Sequence, residues 1–131
     1  MKTLVVDDDE LGRMLLTTFF DDFGHCDQAE NGKLALDLYE AAVAEENPYD
    51  LVCLDIVMPV MDGMTTLRNL REIEQQQKRK RTMVFVISAR NSISDIEDAF
   101  FEGDCDDYIV KPFSRESIRK MLERHNMMQP E

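Results

Sequence analysis

Three carboxylates, a hydroxyl and an ammonium each stand directly at the end of an apolar run in this sequence. Asp7 and Asp8 follow Thr3-Leu4-Val5-Val6, and Asp55 follows Leu51-Val52-Cys53-Leu54. Ser88 closes the run Met83 to Ile87, and Lys111 follows Tyr108-Ile109-Val110. Carboxylates crowded together raise one another's pKa or recruit a cation. Hard oxygens with room for water suit Mg²⁺, or Mn²⁺ in its place, and such ions take a phosphate oxygen as a further ligand. A divalent metal, an ammonium and a hydroxyl around one aspartate are what a phosphoryl group needs on its way to that aspartate. The reaction implied is in-line transfer of phosphoryl to a carboxylate oxygen of Asp55. Taken singly, these acids would be ordinary loop residues or helix caps, and Ser88 and Lys111 ordinary surface. The set carries the argument.

The elements between these residues must bring them together. Leu51 to Leu54 is apolar at every position, as suits a strand buried on both faces, and Pro59 with Asp62-Gly63 stops it just beyond Asp55. Helical spacing follows the first strand at Leu11, Met14, Leu15, Thr18, Phe19 and Phe23, with Gly24 as the expected cap. His25 to Glu30 is a weak second strand, and Asn31-Gly32 precedes an amphipathic stretch with Leu34, Ala35, Leu38, Tyr39 and Ala42. A third helix is expected from about Thr65 to Gln75, facing inward with Met64, Leu67, Leu70 and Ile73. A fourth, capped by Ser92 or Ser94, carries Ile93, Ile96, Ala99 and Phe100, and a last one carries Ile118, Met121 and Leu122. Five strands alternating with five helices predict an α/β domain with a parallel sheet and helices on both faces. In such a sheet the strand C-termini share one edge, where ligands bind.

The 131 residues, with 44% hydrophobic and 32% charged, suit one folded domain, expected over residues 1–126 with a short frayed tail at 127–131. A net charge of −12 argues against direct nucleic-acid contact, and no apolar run is long enough for membrane insertion. Cys26, Cys53 and Cys105 lack metal or disulfide spacing and read as reduced thiols, which together with the missing signal peptide predicts a cytoplasmic chain. The basic run Lys78 to Arg81 reads as a solvated loop, and His25 and His125 as surface residues away from the site.

VVDDDE, LDIVMPVMDG, VISAR and YIVKPF resemble the response-regulator receiver domains of two-component signalling, over about residues 2 to 125. The resemblance implies a flavodoxin-like three-layer fold with strand order 2-1-3-4-5. It implies that Asp55 is the phosphoacceptor, that Asp7, Asp8 and Asp55 hold Mg²⁺ with the backbone carbonyl of Val57, and that Lys111 contacts the phosphoryl group. Pro112 would follow a cis peptide bond, Ser88 would move toward the phosphoryl group, and Tyr108 would turn inward with it. Such a chain takes phosphoryl from a sensor histidine kinase or phosphotransfer protein, with specificity near Glu10, Arg13, Met14 and Thr17. It then binds a downstream protein through its fourth helix, fifth strand and fifth helix, with Arg90, Ile93, Glu97, Tyr108 and Lys111 as candidate contacts, as a monomer or a phosphorylation-dependent dimer. It catalyses nothing beyond its own phosphoryl transfer and dephosphorylation.

Three departures bear on this. Val57 stands where many relatives carry a polar residue, Arg90 places a long cation at the mouth of the site, and the Gly103 to Tyr108 loop is one residue longer than the common pattern. The first two predict slow to moderate autodephosphorylation, and the third leaves the start of the fifth strand open. A free-standing receiver is expected; a receiver cut from a larger regulator or hybrid kinase is the alternative. Asp7-Asp8-Asp9 also fits the start of haloacid-dehalogenase-type phosphatases, where Asp7 would be the nucleophile, although D-x-x-M-P-x-M-D-G has no place there.

Overall fold

The computed structural model describes residues 1–77 and 81–128. Its elements run β1 (Thr3–Val6), α1 (Glu10–Phe20), β2 (Cys26–Ala29), α2 (Gly32–Ala44), β3 (Leu51–Leu54), α3 (Gly63–Gln77), β4 (Met83–Ser88), α4 (Ile93–Phe101), β5 (Asp107–Val110) and α5 (Arg115–Arg124). All pairings are parallel, and the sheet order is β2-β1-β3-β4-β5. Alternate side chains leave the sheet on opposite faces. Leu4, Val6, Val52, Leu54, Val84 and Val86 meet α2, α3 and α4 on one side. Val5, Leu51, Cys53, Phe85 and Ile87 meet α1 and α5 on the other. The expected three-layer architecture and strand order are those observed.

Local chemistry sets the ends of the elements. Asn31 Oδ1 accepts from Leu34 N–H at 2.9 Å to cap α2, Ser92 caps α4 through Asp95 N–H at 3.0 Å, and Ser114 with Ser117 forms a reciprocal capping box on α5. Gly24, at φ 140°, closes the turn after α1; a Cβ there would lie 2.1 Å from the Met1 carbonyl oxygen.

Several expectations need correction. The inward face of α1 is Gly12, Leu16, Phe19 and Phe20, whereas Leu11, Met14 and Leu15 are exposed at 61%, 54% and 54%. Two apolar stripes overlap on this helix, and the one holding the larger aromatic pair wins the core. The α-helix ends at Phe20, and Asp21–Phe23 forms a single 3₁₀ turn. Leu34 also faces outward rather than in, whereas Ile93, one of the expected partner contacts, is exposed as such a contact must be. His125 is half-buried, with Nε2 3.0 Å from Asp107 Oδ2 and its ring against Phe85. Met127 and Met128, expected in a frayed tail, pack against the α1/α5 side of the core; the remaining tail residues 129–131 lie outside the described residues.

The basic run is likewise only partly described, since residues 78–80 fall outside. Its last member is no bystander: Arg81 pairs with Asp104 at 2.6 Å and with Asp106 at 2.9 Å. Hydrogen bonding to Arg81 holds the Asp104 carboxyl below the usual carboxylate range. Asp104 sits at φ 62°, a left-handed conformation that aspartate tolerates, so the longer loop is clamped at its turn. Strand β5 consequently opens at Asp107, one residue earlier than the tyrosine.

All three cysteines are free thiols. Burial pushes Cys26 up to about 11 and Cys105 up to about 12, and raises fully buried Cys53 further. None offers a thiolate nucleophile at neutral pH.

Candidate functional site

The parallel register brings the polar set together. Val6 pairs with Leu54, Leu54 with Val86 and Val86 with Tyr108, so the residues just beyond them emerge at one edge of the sheet. There Asp7, Asp8 and Asp55 each offer a carboxylate oxygen within 4.8 Å of the others. Asp7 and Asp55 are buried and Asp8 is exposed. Lys111 reaches across from the end of β5, its Nζ donating to Asp7 Oδ2 at 2.7 Å and to Asp55 Oδ2 at 3.0 Å. The Lys111–Pro112 peptide bond is cis.

The carboxylates are oriented as well as gathered. Asp7 Oδ1 accepts from Asp9 N–H at 2.9 Å, and Asp55 Oδ1 accepts from Val57 N–H at 3.2 Å. Arg13, from α1 and expected only as a specificity residue, donates to the Asp7 carbonyl at 2.7 Å and so pins the β1–α1 turn. Gly63 lies so close that a Cβ would sit 2.1 Å from the Asp55 carbonyl oxygen. The Asp-Gly read as mere turn chemistry is thus also what lets α3 start against the acceptor strand.

Charge balance follows from these contacts. Burial raises the Asp55 pKa, the Lys111 hydrogen bond and charge lower it, and the Asp7 charge raises it again, for a net rise. Burial pushes the Lys111 ammonium down, but its bonds to Asp7 and Asp55 outweigh this and raise it. One ammonium is shared by two buried carboxylates beside a third acid. The donor set is all oxygen and anionic in excess, which is the chemistry that suits Mg²⁺.

A stability prediction follows. A carboxyl whose folded pKa is raised binds its proton better folded than unfolded, so it costs stability once pH exceeds that pKa. Asp55→Asn is therefore expected to melt at a higher temperature than wild type in metal-free buffer at neutral pH. The gap should close as pH falls through the raised pKa toward the ordinary carboxylate value. Thermal unfolding of both proteins across that range checks it; a destabilised Asp55→Asn at neutral pH contradicts it.

The remaining candidates flank this centre. Ser88 is fully buried, and its Oγ accepts from Arg90 N–H at 3.2 Å. Tyr108 is half-buried against the core on the α4 side, and its hydroxyl donates to the Arg90 carbonyl at 2.8 Å. Burial raises that hydroxyl's pKa, and a hydrogen bond with Ser88 acts the other way. Ser88, Arg90 and Tyr108 are thus linked through the turn between β4 and α4. The Arg90 guanidinium points away to Asp95 at 3.6 Å, and the Val57 side chain is exposed beside the acids. His25 lies on the far edge, bonded to Asp27 at 2.7 Å.

The response regulator receiver domain model matches residues 3–123. The chain belongs to this family. It is a receiver domain of two-component systems, a family of signalling proteins. The domain is 33% identical over 125 residues to chemotaxis protein CheY of Bacillus subtilis (strain 168), covering 94% of this chain and 95% of that one. It is 36% identical over 118 residues to the transcriptional regulatory protein ResD of the same organism, covering 89% of this chain but 44% of ResD. The receiver thus spans nearly all of one relative and under half of another. In structure it is similar to a chain of the CheX–CheY–BeF₃–Mg²⁺ complex from Borrelia burgdorferi, with a TM-score of 0.83 and 29% identity over 98% of this chain and 90% of that one. Among the described residues, no helix is long and apolar enough to cross a membrane.

Proposed function

We propose that this receiver, over residues 1–126, takes a phosphoryl group onto Asp55 from a histidine kinase or phosphotransfer protein. The observation that carries this is the convergence of Asp7, Asp8, Asp55 and Lys111 on one sheet edge, with Asp55 buried and in contact with the lysine. Asp55 presents an oxygen as nucleophile, and Val57 N–H fixes the carboxylate plane. Lys111 shifts its bonding from the bare carboxylate to the incoming phosphoryl oxygens. Asp7 and Asp8, with the backbone carbonyl of Val57, would hold Mg²⁺, which when bound neutralises the negative charge of the transferring group. The Borrelia complex, which contains Mg²⁺ and beryllofluoride, supports that assignment by likeness. Ser88 then bonds the phosphoryl group, drawing the Ser88–Arg90–Tyr108 linkage with it.

The exposed stripe of Leu11, Met14 and Leu15 beside the site supports α1 as the phosphodonor's landing surface. An adjoining cleft of about 380 Å³, lined by Leu11, Gly12, Leu15, Pro112 and Phe113, extends it. The signal is read on α4, β5 and α5 by a protein partner.

Incubation with acetyl phosphate and Mg²⁺ tests the chemistry. The protein should gain one phosphoryl group that is lost to hydroxylamine, as an acyl phosphate must be, and none in EDTA. A hydroxylamine-stable phosphate would overturn the reading. The exposed aliphatic Val57 offers no polar group to order an attacking water. The phosphoryl half-life in Mg²⁺ buffer is accordingly expected to be minutes or longer, and a half-life of seconds contradicts that role.

A further inference from the structure

Among the described helices, Phe101 and Ile93 are the most exposed large hydrophobic side chains, at 83% and 75%. Both lie on α4, eight residues apart with Glu97 midway, so the three form one stripe about 12 Å long. A lone exposed hydrophobe carries no message, but two on one stripe form an anchor pair. The same helix holds three acids, Asp95, Glu97 and Asp98, and no lysine or arginine. Asp95 is engaged with Arg90 and Ser92, and Glu102 beyond the helix is engaged with Arg68 of α3 at 3.2 Å. Glu97 and Asp98 are left to set the charge of the outward face.

This face is joined to the phosphoryl site. The turn into α4 runs from Ser88 to its cap Ser92, and Arg90 within it binds Ser88 through its N–H and Tyr108 through its carbonyl. Through those bonds a shift of Ser88 would pull on the N-terminal end of α4, where Ile93 stands.

Resting on the receiver reading above, we propose the chemistry of the partner: a cationic amphipathic helix that lays two apolar side chains on Ile93 and Phe101. Its lysines or arginines stand beside Glu97 and Asp98. Apolar anchors supply affinity and the acids select the partner. An acidic partner would meet repulsion from this helix and from a chain of net charge −12.

The test titrates the isotopically labelled full chain with two synthetic helical peptides sharing one leucine face. One is flanked by lysines and the other by glutamates. The lysine peptide should shift α4 backbone resonances saturably, more weakly at high salt, and the glutamate peptide should not. Phe101→Ala should weaken binding about tenfold without changing thermal unfolding, because its side chain is exposed. Shifts scattered over the acidic surface, or unchanged affinity in Phe101→Ala, would overturn the proposal. So would a dimer of the chain alone that Phe101→Ala abolishes, since a second copy would then be the occupant. Phosphoryl uptake is followed on the same samples. Normal uptake without α4 binding sinks this inference alone, whereas no uptake takes the receiver reading down with it.

Discussion

Lys111→Ala is expected to slow phosphoryl uptake from a small-molecule donor by about 10²–10³-fold, the usual consequence of removing one group aimed at developing charge. The same substitution should tighten Mg²⁺ binding. The lysine ammonium sits 2.7 Å from Asp7 and 3.0 Å from Asp55, so it competes with any other cation for those two carboxylates. Taking it away leaves the buried acids with excess negative charge, which a divalent ion relieves. The opposite signs separate this account from simple unfolding, which would weaken both. Calorimetric Mg²⁺ titration together with uptake rates by intact mass provides the check. Weaker Mg²⁺ binding, or an unchanged uptake rate, would show that the lysine contacts are incidental.

The second large effect lies at the opposite end of the sheet. Arg71 of α3 donates to Glu74 at 2.7 Å, the Thr82 carbonyl at 2.8 Å, the Asp104 carbonyl at 3.0 Å and Asp106 at 3.0 Å, with a side chain only 11% exposed. Glu74 is buried too and accepts from Thr82 N–H, while Asp106 accepts from Val84 N–H at 2.8 Å. The arginine therefore ties α3, the start of β4 and the loop before β5 into one polar knot. Arg71→Ala would leave the buried Glu74 without its cation, while Asp106 keeps Arg81, at a cost of about 3–5 kcal/mol. For a domain of this size that lowers Tm by roughly 10–20 °C. Neutralising the buried partner as well, in Arg71→Leu/Glu74→Met, should recover much of the loss, because an apolar pair avoids the desolvation cost. Arg81→Ala, removing the more exposed cation, should cost about 1 kcal/mol or less. Thermal melts of the three variants settle the matter; a change of under about 1 kcal/mol for Arg71→Ala contradicts it.

These two results also mark what could and could not be read from the sequence. The site was legible because each of its residues follows a strand of unmistakable apolar density, and parallel topology forces such positions to one edge. The knot was not. Arg71 and Glu74 sit three apart on an amphipathic helix, where an arginine and a glutamate ordinarily form an exposed pair. Nothing in the local pattern says that Thr82 and Asp106 close over them. The phase of α1 failed for another reason: Leu11, Met14 and Leu15 satisfy helical periodicity as well as Leu16, Phe19 and Phe20 do. Periodicity finds a stripe, but it cannot tell a stripe kept for the core from one kept for another protein. On α4 Ile93 stood among the expected partner contacts, but nothing in the pattern singled out Phe101, the other exposed member of the pair. His125 and Met127 became half-buried only because the end of α5 returns across Phe85, a contact between distant segments.

The central claim is that Asp55 receives the phosphoryl group, and one measurement tests it most directly. Wild type and Asp55→Asn are incubated side by side with Mg²⁺ and phosphoramidate and weighed intact. Wild type should gain the mass of a single phosphoryl group and Asp55→Asn none, with both still folded. Equal uptake by Asp55→Asn would move the acceptor elsewhere and contradict the account.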